Sequence, residues 1–170
     1  MTPFAELADL AEEMAATSSR LTKRAAIAAA LGRVHTASPD THDAGLFALY
    51  LAGLPFAEAD PRKLNAGGAL LSKAVLTVSG AGGPELTAAY RRHGDLGAAA
   101  FDLFSAPPPA ADGRLPLEDV HQAFAGMATA RTTAIRAGLV EGLLRRATAL
   151  EAKYLLKLML GDMRLSLIHI

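Results

Sequence analysis

Apolar and polar positions alternate along this chain at helical spacing almost throughout. Phe4, Leu7, Leu10, Ala11 and Met14 mark one face, the i, i+3, i+4, i+7 pattern of an amphipathic helix. Thr2 predicts its cap, with Pro3 at the first helical position. "TSSR" at Thr17 to Arg20 restarts the chain. Leu21, Ile27, Ala28 and Leu31 then predict a second helix ending at Gly32. Ser38-Pro39-Asp40 opens a third, carrying Leu46, Phe47, Tyr50 and Leu51. After a loop with Pro55 and Pro61, a fourth helix is expected near Ala69 to Val78, ending in "SGAGGPE". Pro84-Glu85 starts a fifth and Gly94 stops it; Asp95 caps a sixth that reaches Phe104. "SAPPPAADGR" (Ser105 to Arg114) is too rich in Pro and Gly for regular structure.

Three more helices follow, near Pro116 to Met127, Thr133 to Arg146 and Ala149 to Leu160. Thr148 and Glu151 form a capping box for the last. Ala152, Leu155, Leu158 and Met159 give it a packing face, and Lys153 and Lys157, four apart, share another. That arrangement predicts one side packed and one side presenting positive charge. With no strand-period segment and no internal repeat, the expected architecture is all-α, one domain of about nine helices.

Composition narrows the class. The chain has 170 residues and no cysteine, which excludes disulfides and thiolate metal sites. The acidic, amphipathic start is unlike a signal peptide, and no apolar run approaches the roughly 18 residues of a membrane span, so an intracellular, cytoplasmic protein is expected. The formal net charge of zero hides an asymmetry. Residues 1–16 carry four acids and no base, whereas 131–164 carry seven bases against three acids. Either a polyanion partner or an ordinary solvated face accounts for such a block.

Few motifs carry chemistry. "SGAGGPE" has no following Lys-Ser/Thr and no preceding strand, so it reads as a helix-terminating turn and not as a phosphate loop. His35, His42, His93 and His121 lack paired ligand spacing. No G-x-S-x-G positions a nucleophile. Lys73, in "LLSKAVL", reads either as a buried reactive amine or as a lysine snorkelling from a packed helix. "TARTTAIR" (Thr129 to Arg136) sets Thr132 and Thr133 where free backbone N–H groups collect, with Arg131 and Arg136 beside them. Plain N-capping explains the threonines; the four together also make a competent phosphate site.

The order of segments resembles the N-terminal, all-helical DNA-binding domain of the ATP-dependent DNA ligases of archaea, eukaryotes and some bacteria. The resemblance is carried by "FAELADLAEEMAATSSRLTKRAAIAAAL" (Phe4 to Leu31), "LYLAGL" (Leu49 to Leu54), "KLNAGGALLSKAV" (Lys63 to Val75), "YRRHGDLGAAA" (Tyr90 to Ala100), "LPLEDVHQAF" (Leu115 to Phe124) and "LLRRATALEAKYLLKLMLGDMRL" (Leu143 to Leu165). The last is the most specific, through Glu151, Ala152, Tyr154, Gly161, Asp162 and Arg164. Two departures stand out. "ATARTT" replaces a Gly- and Ser-containing turn before the eighth helix, and Pro116 replaces the usual Thr before the seventh.

The resemblance implies a domain that embraces nicked duplex DNA across the minor groove, by its phosphates and without sequence preference. It implies a nucleotidyltransferase domain and an OB-fold domain following in the same protein, with ATP and Mg2+ serving a lysine in a K-x-D-G motif. This chain has no K-x-D-G, so no catalysis of its own is expected, and no cofactor or metal in this stretch. Within the resemblance, Arg131, Thr132, Thr133 and Arg136 are the expected phosphate contacts. Lys153, Lys157 and Arg164 would add positive field, and Arg62 with Lys63 form a further loop candidate. Nick sealing in replication, repair and recombination, in the nucleoid, is the expected context. A stand-alone helical module docking an acidic protein is the alternative; a small hydrolase using His and Asp lacks a positioned nucleophile.

The end of the chain breaks the pattern. "LSLIHI" (Leu165 to Ile170) departs from the ligase-like course at Ser166 and matches, residue for residue, one reading frame of a transposon mosaic-end adapter used in sequencing-library preparation. Residues 1–164 are accordingly read as the domain, cut before the catalytic part, and 165–170 as a non-native tail.

Overall fold

The helical spacings fold, in a computed structural model that describes residues 1–105 and 112–163, as nine α-helices among those residues. They are α1 (Phe4–Ala15), α2 (Arg20–Ala37), α3 (Thr41–Leu51), α4 (Gly68–Ser79), α5 (Gly83–His93), α6 (Leu96–Ser105), α7 (Leu117–Thr129), α8 (Thr133–Arg146) and α9 (Ala149–Leu160). The all-α expectation holds, and α8 and α9 begin and end where the spacing put them. Arg164, the tail 165–170 and residues 106–111 of the Pro-rich linker lie outside the described residues.

Local chemistry sets most of the boundaries. Asp40 caps α3 and Ser19 caps α2, each accepting a backbone N–H. Asp95 Oδ1 accepts from Gly97 N at 2.8 Å and Ala98 N at 3.3 Å, so α6 is capped as expected. Thr148 and Glu151 form the reciprocal box at α9: Glu151 N donates to Thr148 Oγ1 (3.2 Å), and Thr148 N to Glu151 Oε1 (2.9 Å).

Two expectations about helix ends are corrected. Thr2 does not cap α1: the helix starts at Phe4, after Pro3. Pro3 forms an antiparallel bridge with Pro116, in which Phe4 N donates to Leu115 O (2.6 Å) and Leu117 N donates to Thr2 O (2.8 Å). The first turns of α1 and α7 thus satisfy each other's leading N–H, which is how α7 manages with proline before it. Nor does α2 stop at Gly32. It runs five residues further, because Ala30 and Val34 are the positions that reach the core. Leu21 and Ala28 were expected on the packing stripe, but both are exposed.

Around these caps the helices share one core, with Phe4, Phe47, Tyr50, Phe124 and Tyr154 among its largest members. α9 packs most extensively on α6 and also on α1; α8 packs on α4 and α7; α2 packs on α1 and α3. Eight of the twelve residues of α9 are buried, including Tyr154 and Leu156, and none is fully exposed. A helix apolar nearly all round is a core element, so the expectation of an open charged side on α9 is corrected. No described helix is long and apolar enough to cross a membrane.

Candidate nucleic-acid interface

The turn between α7 and α8 brings together the four residues singled out in "TARTTAIR". Thr132 is the N-cap of α8 in extended conformation, and its Oγ1 accepts from Ile135 N at 3.2 Å. Arg136 N donates to Thr132 O at 3.3 Å. The N–H groups of Thr133 and Ala134 find no acceptor among the described residues, and residues 131–135 are all exposed. Arg131 enters no ion pair there either. Open N–H groups, the Thr133 hydroxyl and the Arg131 guanidinium thus belong to one short exposed turn, at a helix start whose dipole favours an anion.

Arg136 sits differently from its neighbours. Its Nε donates to Met127 O (3.4 Å), in the last turn of α7, and its Nη2 to Ala130 O (3.0 Å), at the C-cap of that helix. It closes the C-terminus of α7 and holds the turn that presents Arg131 to Thr133. The expectation that Arg136 simply stands beside the threonines is corrected to that extent.

Beside the turn, α4 and α8 enclose a groove of about 430 Å³ lined by Leu70, Lys73, Ala74, Thr133, Ala137 and Glu141, among others. Lys73 is exposed there and makes no ion pair among the described residues, which removes the buried-amine reading. A second recess, of about 440 Å³, lies by the loop before α4 and is lined by Arg62, Lys63, Asn65 and Gly67, among others. Asn65 adopts φ 55° there, and its Nδ2 donates to Lys63 O at 3.2 Å. Gly67 offers no side-chain cap to α4, so this helix also begins with open donors. The sequence reading passed over Gly67 and Gly68; the cue was the pair of glycines ahead of an apolar helix without Ser, Thr, Asp or Asn at the cap.

Three of the remaining predicted cations, Arg62, Lys153 and Lys157, pair with carboxylates. Arg62 grips Asp60, with Nη2 2.8 Å from Oδ2 and Nε 3.1 Å from Oδ1, and its guanidinium lies 4.5 Å from the Phe56 ring centre. This pairing lowers the Asp60 pKa. Lys63 is exposed, and its ammonium has no partner among the described residues. Lys153 Nζ donates to Glu12 Oε2 at 3.1 Å, and Lys157 Nζ to Asp95 Oδ2 at 3.1 Å, each lysine side chain being 20% exposed. Tyr154 donates to the same Glu12 oxygen at 2.5 Å. Burial works against the Glu12 carboxylate, but the hydrogen bonds from Tyr154 and Lys153 outweigh it and hold its pKa low. Asp95 is likewise depressed, burial being overcome by Lys157 and two backbone N–H groups. The positive block at 131–164 is therefore partly neutralised across the fold, with Arg146 also on Asp119 at 2.7 Å. Arg164 lies outside the described residues. Among those described, no group of three or more His, Cys, Asp or Glu is arranged to hold a metal ion.

Comparison with known proteins identifies the family of the chain. The family described as DNA ligase N terminus matches residues 3–168. A probable DNA ligase of Koribacter versatilis is 38% identical over 161 residues, covering 95% of this chain and 27% of that protein. DNA ligases of Archaeoglobus fulgidus and Methanopyrus kandleri are 33% and 32% identical, each over 95% of this chain and 29% of their own length. The chain thus spans under a third of these relatives.

Proposed function

The chain belongs to the DNA ligase N-terminal family, and from that premise we propose that it grips nicked duplex DNA through backbone phosphates, without sequence preference. The observation that carries this reading is the start of α8. A phosphate oxygen there would accept from the open N–H groups of Thr133 and Ala134 and from the Thr133 hydroxyl, and would pair with Arg131. Contacts of this kind position a duplex and carry no base readout. Thr132 and Arg136 act by shaping the turn. Lys63 offers a free ammonium at the second recess. Lys153, Lys157 and Arg62 contribute through the fold they brace.

On the same reading the domain serves a longer ligase that seals nicks in replication, repair and recombination on intracellular DNA. The nucleotidyltransferase and OB-fold domains supply the chemistry with ATP and Mg2+; the greater length of the relatives supports this.

Titration of a labelled nicked duplex across a salt series tests the proposal. Backbone binding weakens with a log–log slope of about −0.9 per neutralised phosphate. Arg131→Ser should flatten that slope by about one contact's worth. Salt-independent binding, or none at low ionic strength, would sink the reading.

A further inference from the structure

Helices α3 and α7 pack on each other, and a histidine–carboxylate pair joins their first turns. His42, at the start of α3, is hydrogen-bonded through Nε2 to Glu118 Oε2, at the start of α7. Glu118 is also held from its own helix, because Gln122 Nε2 donates to Oε1 at 2.8 Å. The His42 ring meets His121 of α7 edge-on, with ring centres 5.9 Å apart. The side chains of His42 and Glu118 are 54% and 31% exposed, so solvent reaches the proton between them. Further along the same seam, Tyr50 of α3 packs edge-on against Phe124 of α7, with ring centres 5.6 Å apart. Two polar atoms of this seam, Tyr50 Oη and His121 Nδ1, are buried and have no hydrogen-bond partner among the described residues.

Those two atoms set the seam at odds with itself. Apolar contact closes it, but closure withholds water from a hydroxyl and a ring nitrogen that find no substitute partner. The cation at its rim is equally conditional. A charged imidazole at the start of α3 opposes the helix dipole and depends on its carboxylate. Glu118 raises the His42 pKa, chiefly through their hydrogen bond and against some desolvation, and the charges of Asp43 and Asp40 add to it. Those two aspartates are bonded elsewhere: Asp43 takes Thr2 N at 2.7 Å and the Ser38 hydroxyl at 3.0 Å and feels the amino group of Met1, and Asp40 caps α3. On α7, His121 acts on Glu118 by its charge, and Asp119 pairs with Arg146. The other helices packed on α3 bring His35, in the last turn of α2, and Glu6 of α1, paired with Arg33. Glu118 is thus the carboxylate that answers the His42 charge.

We propose that His42 and Glu118 form a proton-controlled latch on the α3–α7 seam. With His42 charged, the ion pair ties the two helix starts together. When His42 releases its proton to solvent, the tie falls to an ordinary hydrogen bond, and the seam opens more readily to admit water to Tyr50 Oη and His121 Nδ1. This device goes beyond the DNA-binding reading and does not depend on it. Its sign follows from the raised folded pKa of His42: the contribution is complete below the ordinary value of 6.5 and is lost as pH rises through the folded one. Histidine is the side chain whose charge ordinarily changes in this range.

The test follows the whole chain from about pH 5.5 to about pH 8.5, across the histidine range. It reads the thermal midpoint and amide hydrogen exchange in the first two turns of α7, corrected for the intrinsic pH dependence of exchange. Protection in those turns should fall by about two- to fivefold as pH rises, the scale of an exposed ion pair, and the midpoint should fall relative to that of His42→Gln. The His42→Gln chain should exchange at the high-pH level throughout. Tyr50→Phe removes one of the unpartnered polar atoms and should keep the seam protected at the high end. If the parent and His42→Gln differ by a constant amount in midpoint and protection across the range, the latch is overturned. If the midpoint difference titrates but the α7 protection does not, opening of the seam is overturned, and the pair is an ordinary surface ion pair. A Tyr50→Phe chain less protected than the parent at high pH would likewise refute a seam poised to open.

Discussion

Replacing Gly97 with alanine sets two helix effects against each other. Alanine is favoured over glycine in a helix by about 1 kcal/mol, and Gly97 is the second residue of α6, so on local grounds the change should stabilise. The tertiary structure reverses this. A Cβ at Gly97 would stand 2.6 Å from the backbone carbonyl oxygen of Lys153 on α9, 3.0 Å from Lys157 Cγ and 3.1 Å from Asp95 Oδ1, where ordinary contact begins at 3.4 Å. The lysine carbon can move, but the carbonyl cannot without moving α9, whose buried side chains hold it in place. Asp95 caps α6 through Gly97 N itself and pairs with Lys157, so separating the helices strains both. Overpacking of this kind costs about 1–3 kcal/mol, leaving a net loss of up to about 2 kcal/mol after the helical gain. For a chain of this size that is a fall of up to roughly 8 °C in thermal midpoint. Gly142→Ala on α8 is the matched control: nothing stands within 4 Å of its Cβ, and the midpoint should rise. If Gly97→Ala rises as far as Gly142→Ala, α6 and α9 do not approach as closely as described and the reasoning fails.

Thr148→Ala removes the side-chain half of the α9 capping box and should cost about 1 kcal/mol in urea unfolding, whereas Thr148→Ser should cost much less. Burial raises the Glu151 pKa, ahead of smaller effects from Asp9 and Asp112; its folded pKa exceeds the unfolded value of 4.5, so its charge penalises the fold above that pH and vanishes below it. Wild type should therefore gain stability relative to Glu151→Gln as pH falls toward 4.5, and a flat difference across that range would refute the buried-charge assignment. Glu12 and Asp95 are depressed instead, so their contribution is present above their unfolded pKa values and is lost as pH falls through the folded ones; Glu12→Gln should blunt acid unfolding. Incubated with ATP and Mg2+, the chain should show no AMP adduct by intact mass, since it has no K-x-D-G lysine.

What the sequence by itself determined is what neighbouring residues decide together. Thr148 with Glu151, Asp95 before a run of small residues, and Gly80, Gly94 and Gly161 at left-handed helix ends set boundaries through bonds spanning a few positions, so helix order and the ends of α8 and α9 were readable. The segments resembling ligases likewise pointed to the family before any fold was known. Charge was not readable in the same way. Lys153 and Lys157 looked like an open basic face because their partners, Glu12 and Asp95, lie 141 and 62 positions away. Arg136 looked free because the carbonyls it closes belong to the preceding helix. α2 passed Gly32 because packing at Val34 outweighs the weak helix preference of one glycine. The worth of a charge, or of a glycine, depends on what the folded chain places beside it, and only the tertiary structure decided which cations are spent inside the molecule and which still face outward.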